Sequence, residues 1–418
     1  MEKLRPDLIV SSIGSLVTSQ EDPTAPLKRL YDVFIAVIGD KIAAIGPSHE
    51  LQSRLDTSQA QEVDAGGGVA APGFVDSHTH LVFGGTRVQE YTARFTKSAA
   101  EVQALGIPTG ILATVGMTRE ATTGELINSA RLRLDEMMAH GTTTVESKSG
   151  YGLTLNDELK MLEANRSLQA DHPLDIISTF LGAHAFPPEL SRKAYVDLVV
   201  SEMIPAIGQR SLAEFCDVYC DEGYFTVTDS VEILDAARQA GLKLKIHTDQ
   251  YSALGGSALA AELGVVSADH LNYTDQENAR LMAEAGVVGV LMPLIDFAVE
   301  HPHPFDARMF LEEGLSIALA TDMCPGCWAV SMPLVIQFAS RQHHLSPDEA
   351  FAAATLGGAR ALDLHDRGRL VAGLLADIQV WDVPTFEDAF YRLGHNPVAK
   401  VIKNGRVVYD RSRINGGV

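Results

Sequence analysis

Two histidines one residue apart, His78 and His80, are the first side chains in the sequence whose spacing suits metal chemistry. Alternate side chains of an extended strand share a face, so both imidazoles would point to the same spot. Imidazole is a good ligand for zinc and iron. Phe74 and Val75 before the pair, and the apolar residues 81–83 after it, predict a buried strand. From this stretch alone, a strand with two histidines of no special function is as good an interpretation as a metal site.

Further residues of metal-binding or catalytic type follow apolar segments later in the chain. They are His247, Asp269, His270 and Asp322. Each alone has an ordinary explanation, because a strand-end histidine is often hydrogen-bonded in the core and an aspartate often begins a turn. If the fold brought three histidines and an aspartate together at one end of its strands, they would form a metal-binding or catalytic site.

The middle of the chain alternates strand, loop and helix patterns eight times, which favours an α/β fold, a (β/α)8 barrel of the TIM type. The predicted strands are 73–81, 142–150, 175–183, 214–220, 242–248, 266–271, 287–292 and 315–322. One helix is predicted from Glu125 to His140, closed by Gly141, and another from Asn156 to Leu168 with Asn156 as its amino-terminal cap. A doubly wound open sheet is the alternative, but no glycine-rich phosphate loop follows the first strand. In a barrel the strand-end residues would meet at one mouth.

Both ends of the chain contain short β-type segments instead. These segments are 7–10, 31–38, 41–45, 377–381, 401–402 and 406–409. We therefore expect residues 1–70 and 366–418 to fold together into a small β-sandwich domain that flanks a catalytic barrel of residues 71–365.

The composition excludes several classes of partner. The chain has 418 residues, of which 46% are hydrophobic, and its 54 acidic and 33 basic residues give a net charge of −21. This charge argues against nucleic acid or a phospholipid surface as a partner. The sequence shows neither a cationic leader with an apolar core nor an apolar run of about 18 residues, so we expect a cytoplasmic protein that does not enter a membrane.

The four cysteines are too few for a disulfide framework in a chain of this length. Cys324 and Cys327 form a CxxC motif, which is typical of a redox pair or half of a zinc site. No second CxxC exists, and Cys216 and Cys220 have three residues between them. Packing or pocket lining is therefore the favoured interpretation of the cysteines.

Six segments of the chain resemble the amidohydrolase superfamily and, within it, the imidazolonepropionase family. They are PGFVDSHTHLVFGGTR (72–87), GTTTVESKSGYGL (141–153), FLGAHA (180–185), HTDQ (247–250), SADHL (267–271) and ATD (320–322). The resemblance covers nearly the whole chain, including the split β domain. It implies hydrolysis of a cyclic amide C–N bond, with 4-imidazolone-5-propanoate opened to N-formimidoyl-L-glutamate in histidine degradation.

The resemblance also implies one divalent metal, zinc or alternatively iron. The implied ligands are His78, His80, His247 and Asp322. Binuclear relatives typically bridge two metals with a carboxylated lysine from the fourth strand, and segment 214–220 contains none. Lys148, on the second strand, is expected to pair with Glu146 or another acidic neighbour.

The catalytic roles that the resemblance implies fall on Asp322, His270 and Gln250. Asp322 would take a proton from water and pass it to the leaving nitrogen, while His270 would bind that water or the developing oxyanion. Gln250 and His184 would orient the ring.

The substrate is expected to be a small acidic heterocycle. The planar fork of Arg87 suits a carboxylate, which is the group this arginine holds in the family. Tyr151, between two glycines, would stack on the ring or hydrogen-bond to it. A homodimer is a further family expectation.

Two departures from the family pattern concern the substrate pocket. Ala100 stands where the family usually has a tyrosine, and Cys324 stands where it has an asparagine. A cysteine cannot supply the paired donor and acceptor of an amide. A related amidohydrolase that opens or deaminates another heterocycle therefore stays open as an alternative. A catalytically inactive binding protein is disfavoured, because no implied metal ligand is missing.

Overall fold

The structure is a computed structural model that describes residues 3–415. Strands in this range, in chain order, are β1 (Leu8–Ser19), β2 (Leu27–Ile38), β3 (Lys41–Pro47), β4 (Gln61–Asp64), β5 (Val69–Pro72), β6 (Phe74–Asp76), β7 (Thr142–Lys148), β8 (Asp175–Ala183), β9 (Phe215–Cys220), β10 (Lys243–Thr248), β11 (Ser267–His270), β12 (Val288–Leu291), β13 (Ser316–Leu319), β14 (Ile378–Trp381), β15 (Val398–Lys403) and β16 (Arg406–Asp410).

The α-helices of the same range vary from one turn to 17 residues. In chain order they are α1 (Leu51–Arg54), α2 (Val88–Thr96), α3 (Ala99–Ala104), α4 (Gly110–Glu120), α5 (Thr123–Ala139), α6 (Leu155–Asp171), α7 (Arg192–Leu198), α8 (Ile204–Arg210), α9 (Val227–Gln239), α10 (Gly256–Leu263), α11 (Gln276–Glu284), α12 (Pro293–Val299), α13 (Ala307–Glu312), α14 (Met332–Gln342), α15 (Pro347–Ala352), α16 (Gly358–Ala361), α17 (Phe386–Tyr391) and α18 (Arg411–Asn415). None of them is both long and apolar enough to cross a membrane.

Strands β6 to β13 form a parallel barrel in which each strand is hydrogen-bonded to the next one along the chain. The barrel closes just beyond its first and last strands, where Thr79 bridges to Met323 and His80 N donates to Met323 O over 2.8 Å. Asp322 N likewise donates to His78 O over 3.2 Å. The predicted (β/α)8 barrel is confirmed, and its closure places the two-histidine segment beside Asp322.

The two ends of the chain fold together, as predicted, and where a small β-sandwich was expected the described strands of both ends belong to one separate sheet. Its order is β16-β15-β14-β5-β1-β2-β3, with β4 also paired to β1. The antiparallel pair β5–β14, with Pro72 opposite Ile378, joins the two ends. The proposed domain boundaries, 70/71 and 365/366, stay a prediction, and residues 1–2 and 416–418 of that domain lie outside the described residues.

Several predicted element boundaries are wrong by one to five residues, such as that of β13, which ends at Leu319 rather than at residue 322, and two of them have an evident cause. Strand β6 ends at Asp76 rather than at residue 81, because beyond it the chain pairs only through the isolated Thr79–Met323 bridge. Helix α6 begins one residue before Asn156, since the Thr154 side chain accepts a hydrogen bond from Asp157 N over 3.1 Å and is the cap. Strand β8, in contrast, spans the predicted 175–183.

The segment 88–120, which follows Arg87, folds into the three helices α2 to α4. Helix α5 then leads back into the barrel, and it ends before Gly141, whose φ of 93° is the left-handed conformation expected of a closing glycine. The first large excursion from the barrel thus directly follows the two-histidine segment, on the side where the strand-end residues meet.

Candidate metal centre and active site

Residues from four barrel strands converge around His78. The imidazole of His78 lies 4.4 Å from that of His247 and 5.5 Å from that of His80, measured between ring centroids. The rings of His78 and His270 are 5.3 Å apart. Nε2 of His78 is 3.8 Å from Oδ1 of Asp322, and Nε2 of His80 is 3.7 Å from the same oxygen. The structure therefore brings the four predicted ligands and His270 together.

Several polar atoms at this point are buried without a hydrogen-bond partner in the described chain. They include His78 Nε2, His247 Nε2 and Asp322 Oδ1. Buried polar groups are nearly always satisfied, so such a cluster indicates a ligand. Donor atoms that share one divalent ion at about 2 Å each lie about 3–4 Å apart, as Asp322 Oδ1 does from Nε2 of His78 and Nε2 of His80. The residues present fit one divalent metal.

The ionisation of these groups suits metal binding. Burial is the main cause that lowers the pKa of His78, His80 and His247 well below the usual histidine range. Neutral imidazole is the form that binds metals. Burial also raises the pKa of Asp322 to about 7.

Two carboxylates support the histidines from behind: Asp269, which was named among the strand-end residues but given no role, and Asp217, which was not predicted. Asp269 Oδ2 accepts a hydrogen bond from His78 Nδ1 over 2.7 Å. Asp217 Oδ2 lies 2.9 Å from His247 Nδ1. A carboxylate on one ring nitrogen directs the other towards the metal. The sequence did contain a hint to the role of Asp217, because this charged residue lies in a segment that is otherwise apolar and that forms the wholly buried strand β9.

The predicted pairing of Lys148 with Glu146 is confirmed. Lys148 Nζ lies 3.0 Å from Glu146 Oε1, inside the barrel. The lysine also contacts Asp217 and Asp269.

His270 occupies a strained position at the end of β11. Its φ is 84°, a left-handed value that histidine rarely adopts, and Asp322 has a φ of 46°. Such strain is concentrated at functional sites. Burial lowers the pKa of His270 to about 3, so its ring is neutral, and its Nδ1 is buried without a hydrogen-bond partner.

Gln250 is held from two sides. Its side-chain oxygen accepts a 2.6 Å hydrogen bond from the Tyr219 hydroxyl, and its backbone oxygen accepts one of 2.8 Å from His301 Nε2. The Gln250 amide nitrogen is therefore the end available to a ligand. Tyr219 and His301 were not predicted as site residues.

Tyr151 and His184 lie next to His80. The His184 ring stacks on His80, with centroids 4.9 Å apart and planes at 15°, and its Nδ1 donates to Gly150 O over 3.1 Å. Burial lowers the pKa of His184 to about 4. Tyr151 is buried, with its ring 5.7 Å from His80 and 5.2 Å from His184. Both predicted substrate contacts thus adjoin the metal centre.

Arg87 lines a cavity of about 1230 Å³ together with Gly326 and Trp328. Its guanidinium is paired with Glu90, with 2.6 Å from Nε to Oε2 and 2.7 Å from Nη2 to Oε1. This partner was not predicted from the sequence; Arg87 immediately precedes α2, and Glu90 lies in the first turn of that helix. Arg87 Nη1 faces Gly326, where a Cβ would lie 3.4 Å away.

The cysteines of the CxxC motif are free and buried. Cys324 and Cys327 exchange two backbone hydrogen bonds of 3.1 and 3.2 Å, which form a tight loop directly after Asp322. Burial raises the pKa of Cys327 to about 12, so its thiol stays protonated. The possible metal-binding clusters found among residues 3–415 contain no cysteine. Of the interpretations left open, packing or pocket lining fits best.

Comparisons with known proteins match the fold and the site. The sequence model of the amidohydrolase family matches residues 61–105 and 93–409. The imidazolonepropionase of Alkaliphilus metalliredigens is 39% identical over 98% of this chain and 99% of its own. That of Symbiobacterium thermophilum is 41% identical, with the same coverage.

Solved structures resemble the chain in fold alone. A zinc-bound adenosine deaminase from Xanthomonas campestris has a TM-score of 0.71 at 19% identity and covers 98% of this chain and 94% of its own. Atrazine chlorohydrolase from Arthrobacter aurescens, complexed with zinc, has a TM-score of 0.70 at 19% identity, with 98% of each chain covered.

A parallel barrel with histidines and an aspartate gathered at the carboxyl ends of its strands defines a metal-dependent hydrolase, and the chain belongs to the amidohydrolase family. It is a hydrolase of C–N bonds in a cyclic amide, uses a divalent metal and acts on a small molecule. Within the family it is an imidazolonepropionase-like member.

Proposed function

We propose that the chain hydrolyses 4-imidazolone-5-propanoate to N-formimidoyl-L-glutamate. Water adds to the ring carbonyl carbon, the bond from that carbon to the ring nitrogen breaks, and the nitrogen takes up a proton. The observation that carries this proposal is Asp322 Oδ1, which is buried without a hydrogen-bond partner less than 4 Å from the Nε2 atoms of His78 and His80. The relatives at 39% and 41% identity support the choice of substrate.

The metal would be held by the four residues predicted from the sequence. They are His78, His80, His247 and Asp322. A bound divalent ion supplies Lewis acidity, which makes water a nucleophile near neutral pH and polarises a carbonyl oxygen. We propose zinc, with iron as the alternative, since three histidines and one aspartate suit either metal.

Asp322 is proposed to move the proton. One carboxylate oxygen accepts a proton from the attacking water and then delivers it to the leaving ring nitrogen. The neutral His270 ring assists Asp322 by hydrogen-bonding to the water or to the carbonyl oxygen that gains charge when the water adds. Its strained backbone keeps the ring 5.3 Å from both His78 and His247.

The ring of the substrate would lie between His184, Tyr151 and Gln250. His184 donates from Nδ1 to Gly150, so its Nε2 is left as an acceptor for a ring N–H. Tyr151 contributes an aromatic face beside His80, and the Gln250 amide nitrogen contributes a donor. These three groups orient the ring without taking part in proton transfer from water.

The propanoate side chain would bind to Arg87. Glu90 occupies the Nε and Nη2 side of the guanidinium, and the opposite end, at Nη1, lies beside Gly326 in the cavity wall. A planar guanidinium can hold two carboxylates at different edges. Ala100 is exposed on α3 and offers no hydroxyl to the acid, so the role of Arg87 is correspondingly larger. Cys324 would line the pocket next to Asp322.

Three broader predictions accompany this function. Histidine degradation as the pathway and a homodimer are proposals that follow from the resemblance alone, and a cytoplasmic location is a separate proposal.

A panel of cyclic amides and aminated heterocycles tests the reaction type. Purified, metal-loaded protein should open the acidic imidazolone ring without releasing ammonia. If the protein instead releases ammonia from an aminated ring and leaves the imidazolone ring closed, the proposal is refuted and the protein is a deaminase.

A further inference from the structure

A cluster of buried charges contacts the metal centre and has no part in the reaction proposed above. Its members are Glu146 and Lys148 of β7, Asp217 of β9, Lys245 of β10 and Asp269 of β11. All five side chains are fully buried. A buried ammonium is strongly unfavourable unless carboxylates compensate it, so the arrangement of this cluster is tightly specified.

Lys148 lies at the centre of the three carboxylates. Its Nζ is 2.7 Å from Asp217 Oδ2, 3.0 Å from Glu146 Oε1 and 3.3 Å from Asp269 Oδ2. An ammonium has three N–H donors, and each of them has a carboxylate. Burial by itself lowers the pKa of Lys148, but the three carboxylates raise it above its ordinary value, so the lysine stays charged.

Two of these oxygens also contact predicted metal ligands. Asp269 Oδ2 lies between Lys148 Nζ and His78 Nδ1, which donates to it over 2.7 Å. Asp217 Oδ2 contacts Lys148 Nζ and lies 2.9 Å from His247 Nδ1, and the other oxygen of Asp217 accepts a hydrogen bond from His247 N over 3.1 Å. A proton on His78 Nδ1 leaves the lone pair of that ring on Nε2, and Nε2 is buried without a hydrogen-bond partner in both rings, as is Nδ1 of His247.

Without the ammonium, the same atoms would form a second cation site. Ligand atoms of Asp217, His247 and Asp269 lie within 4.8 Å of one another, and so do those of His78, Glu146 and Asp269. The Lys148 ammonium fills the space that these carboxylates share. It therefore supplies there the positive charge that a second divalent ion would bring.

We propose that Lys148 is a positioning residue of the metal centre. Its ammonium fixes Asp217 and Asp269, and these carboxylates fix the positions of His247 and His78. The same ammonium restricts the centre to a single divalent ion. The inference rests on the metal-dependent function proposed above.

The test compares two lysine variants loaded with metal. Lys148→Met keeps the length of the side chain and removes its charge. We expect it to bind zinc 10–100-fold more weakly than the wild type in competition with a chelator, and to shift the absorption bands of the cobalt-substituted protein. Lys403→Met is the matched control, because Lys403 is buried in the terminal sheet and pairs with Asp175 and Asp377 at 2.7 Å each. It should leave zinc affinity and the cobalt spectrum unchanged.

Unchanged zinc affinity and an unchanged cobalt spectrum in Lys148→Met would overturn the inference. If that variant does not fold, zinc titration of the wild type decides. One tightly bound ion per chain supports the inference, and two ions of equal affinity overturn it. A wild-type protein that binds no divalent ion would refute the proposed function itself, whereas a metal-loaded, active wild type with an insensitive Lys148→Met variant refutes only the role of Lys148.

Discussion

Arg87 donates two hydrogen bonds to Glu90, and this pair orients the only guanidinium proposed to bind the substrate. The Nε–Oε2 distance is 2.6 Å and the Nη2–Oε1 distance is 2.7 Å. Glu90 Oε2 also accepts from Gly110 N over 3.2 Å, which ties the pair to the start of α4. The proposed recognition of an acidic substrate by Arg87 would thus depend on a second carboxylate that holds the arginine in place.

Replacing Glu90 by glutamine should weaken binding of the acidic substrate. Hydrogen bonds to charged groups contribute about 1 kcal/mol more than neutral ones, so KM should rise about fivefold to tenfold while kcat changes less than about twofold. Steady-state kinetics with the imidazolone acid measure both. Glu120→Gln, at the exposed end of α4, is the control. An unchanged KM in Glu90→Gln would show that the pair does not orient Arg87.

Arg87→Met should raise the KM for the imidazolone acid further than Glu90→Gln does. An equal increase in KM for an uncharged cyclic amide would argue against a role of Arg87 in binding the acid group.

Asp322→Asn should nearly abolish turnover while the barrel stays folded. The amide cannot take up the proton that the carboxylate is proposed to carry, and loss of such a group typically lowers the rate about 10²–10⁴-fold. The measurement combines kcat with circular dichroism and metal content of the same sample. A folded variant that retains activity within a few fold of the wild type would refute the role of Asp322.

Removal of the divalent metal should lower both activity and thermal stability. The apo protein leaves buried His78, His247 and Asp322 atoms without partners, and a ligand that binds only the folded chain stabilises it by mass action. Chelation followed by differential scanning calorimetry should show a lower Tm, and added zinc should restore Tm and activity together. A Tm that does not respond to chelation would argue against metal at this position.

Asp296 should make the protein less stable as the pH rises. Burial raises the pKa of this carboxyl group to about 7, although a 2.7 Å hydrogen bond from Asn272 opposes the shift. Between pH about 4 and about 7 the folded chain therefore holds a proton that the unfolded chain has lost, and the free energy of unfolding falls across this window. Asp296→Asn removes this pH-dependent loss of stability. The Tm of the variant minus the Tm of the wild type should therefore be greater at pH 8 than at pH 4.5. Asp197→Asn, at an exposed position, is the control. A Tm difference that is the same at both pH values would contradict the prediction.

The positions of the proposed metal ligands were predictable because each lies at or just after the end of an apolar segment with the pattern of a buried strand. Strand β8 and the closing Gly141 followed from local patterns in the same way. Strand β6 was shorter than predicted because its end depends on the pairing of Thr79 with Met323, which are distant in sequence.

The supporting carboxylates could not be assigned from the sequence, although their buried positions carried a signal. Asp217 and Lys148 are 69 positions apart, and their contact is created by the register of the barrel strands. Glu90 was missed for a different reason. An arginine that suits a substrate carboxylate suits a nearby glutamate equally well, and only the structure shows that Glu90 occupies one edge of Arg87.

Hydrolysis of 4-imidazolone-5-propanoate in ¹⁸O-labelled water by the zinc-loaded protein tests the central claim most directly. Nuclear magnetic resonance and mass spectrometry of the product should show N-formimidoyl-L-glutamate with one ¹⁸O atom in the carboxylate derived from the ring carbonyl. No ammonia should be released. An intact ring after prolonged incubation with fully metal-loaded protein, or a deaminated product, would contradict the account.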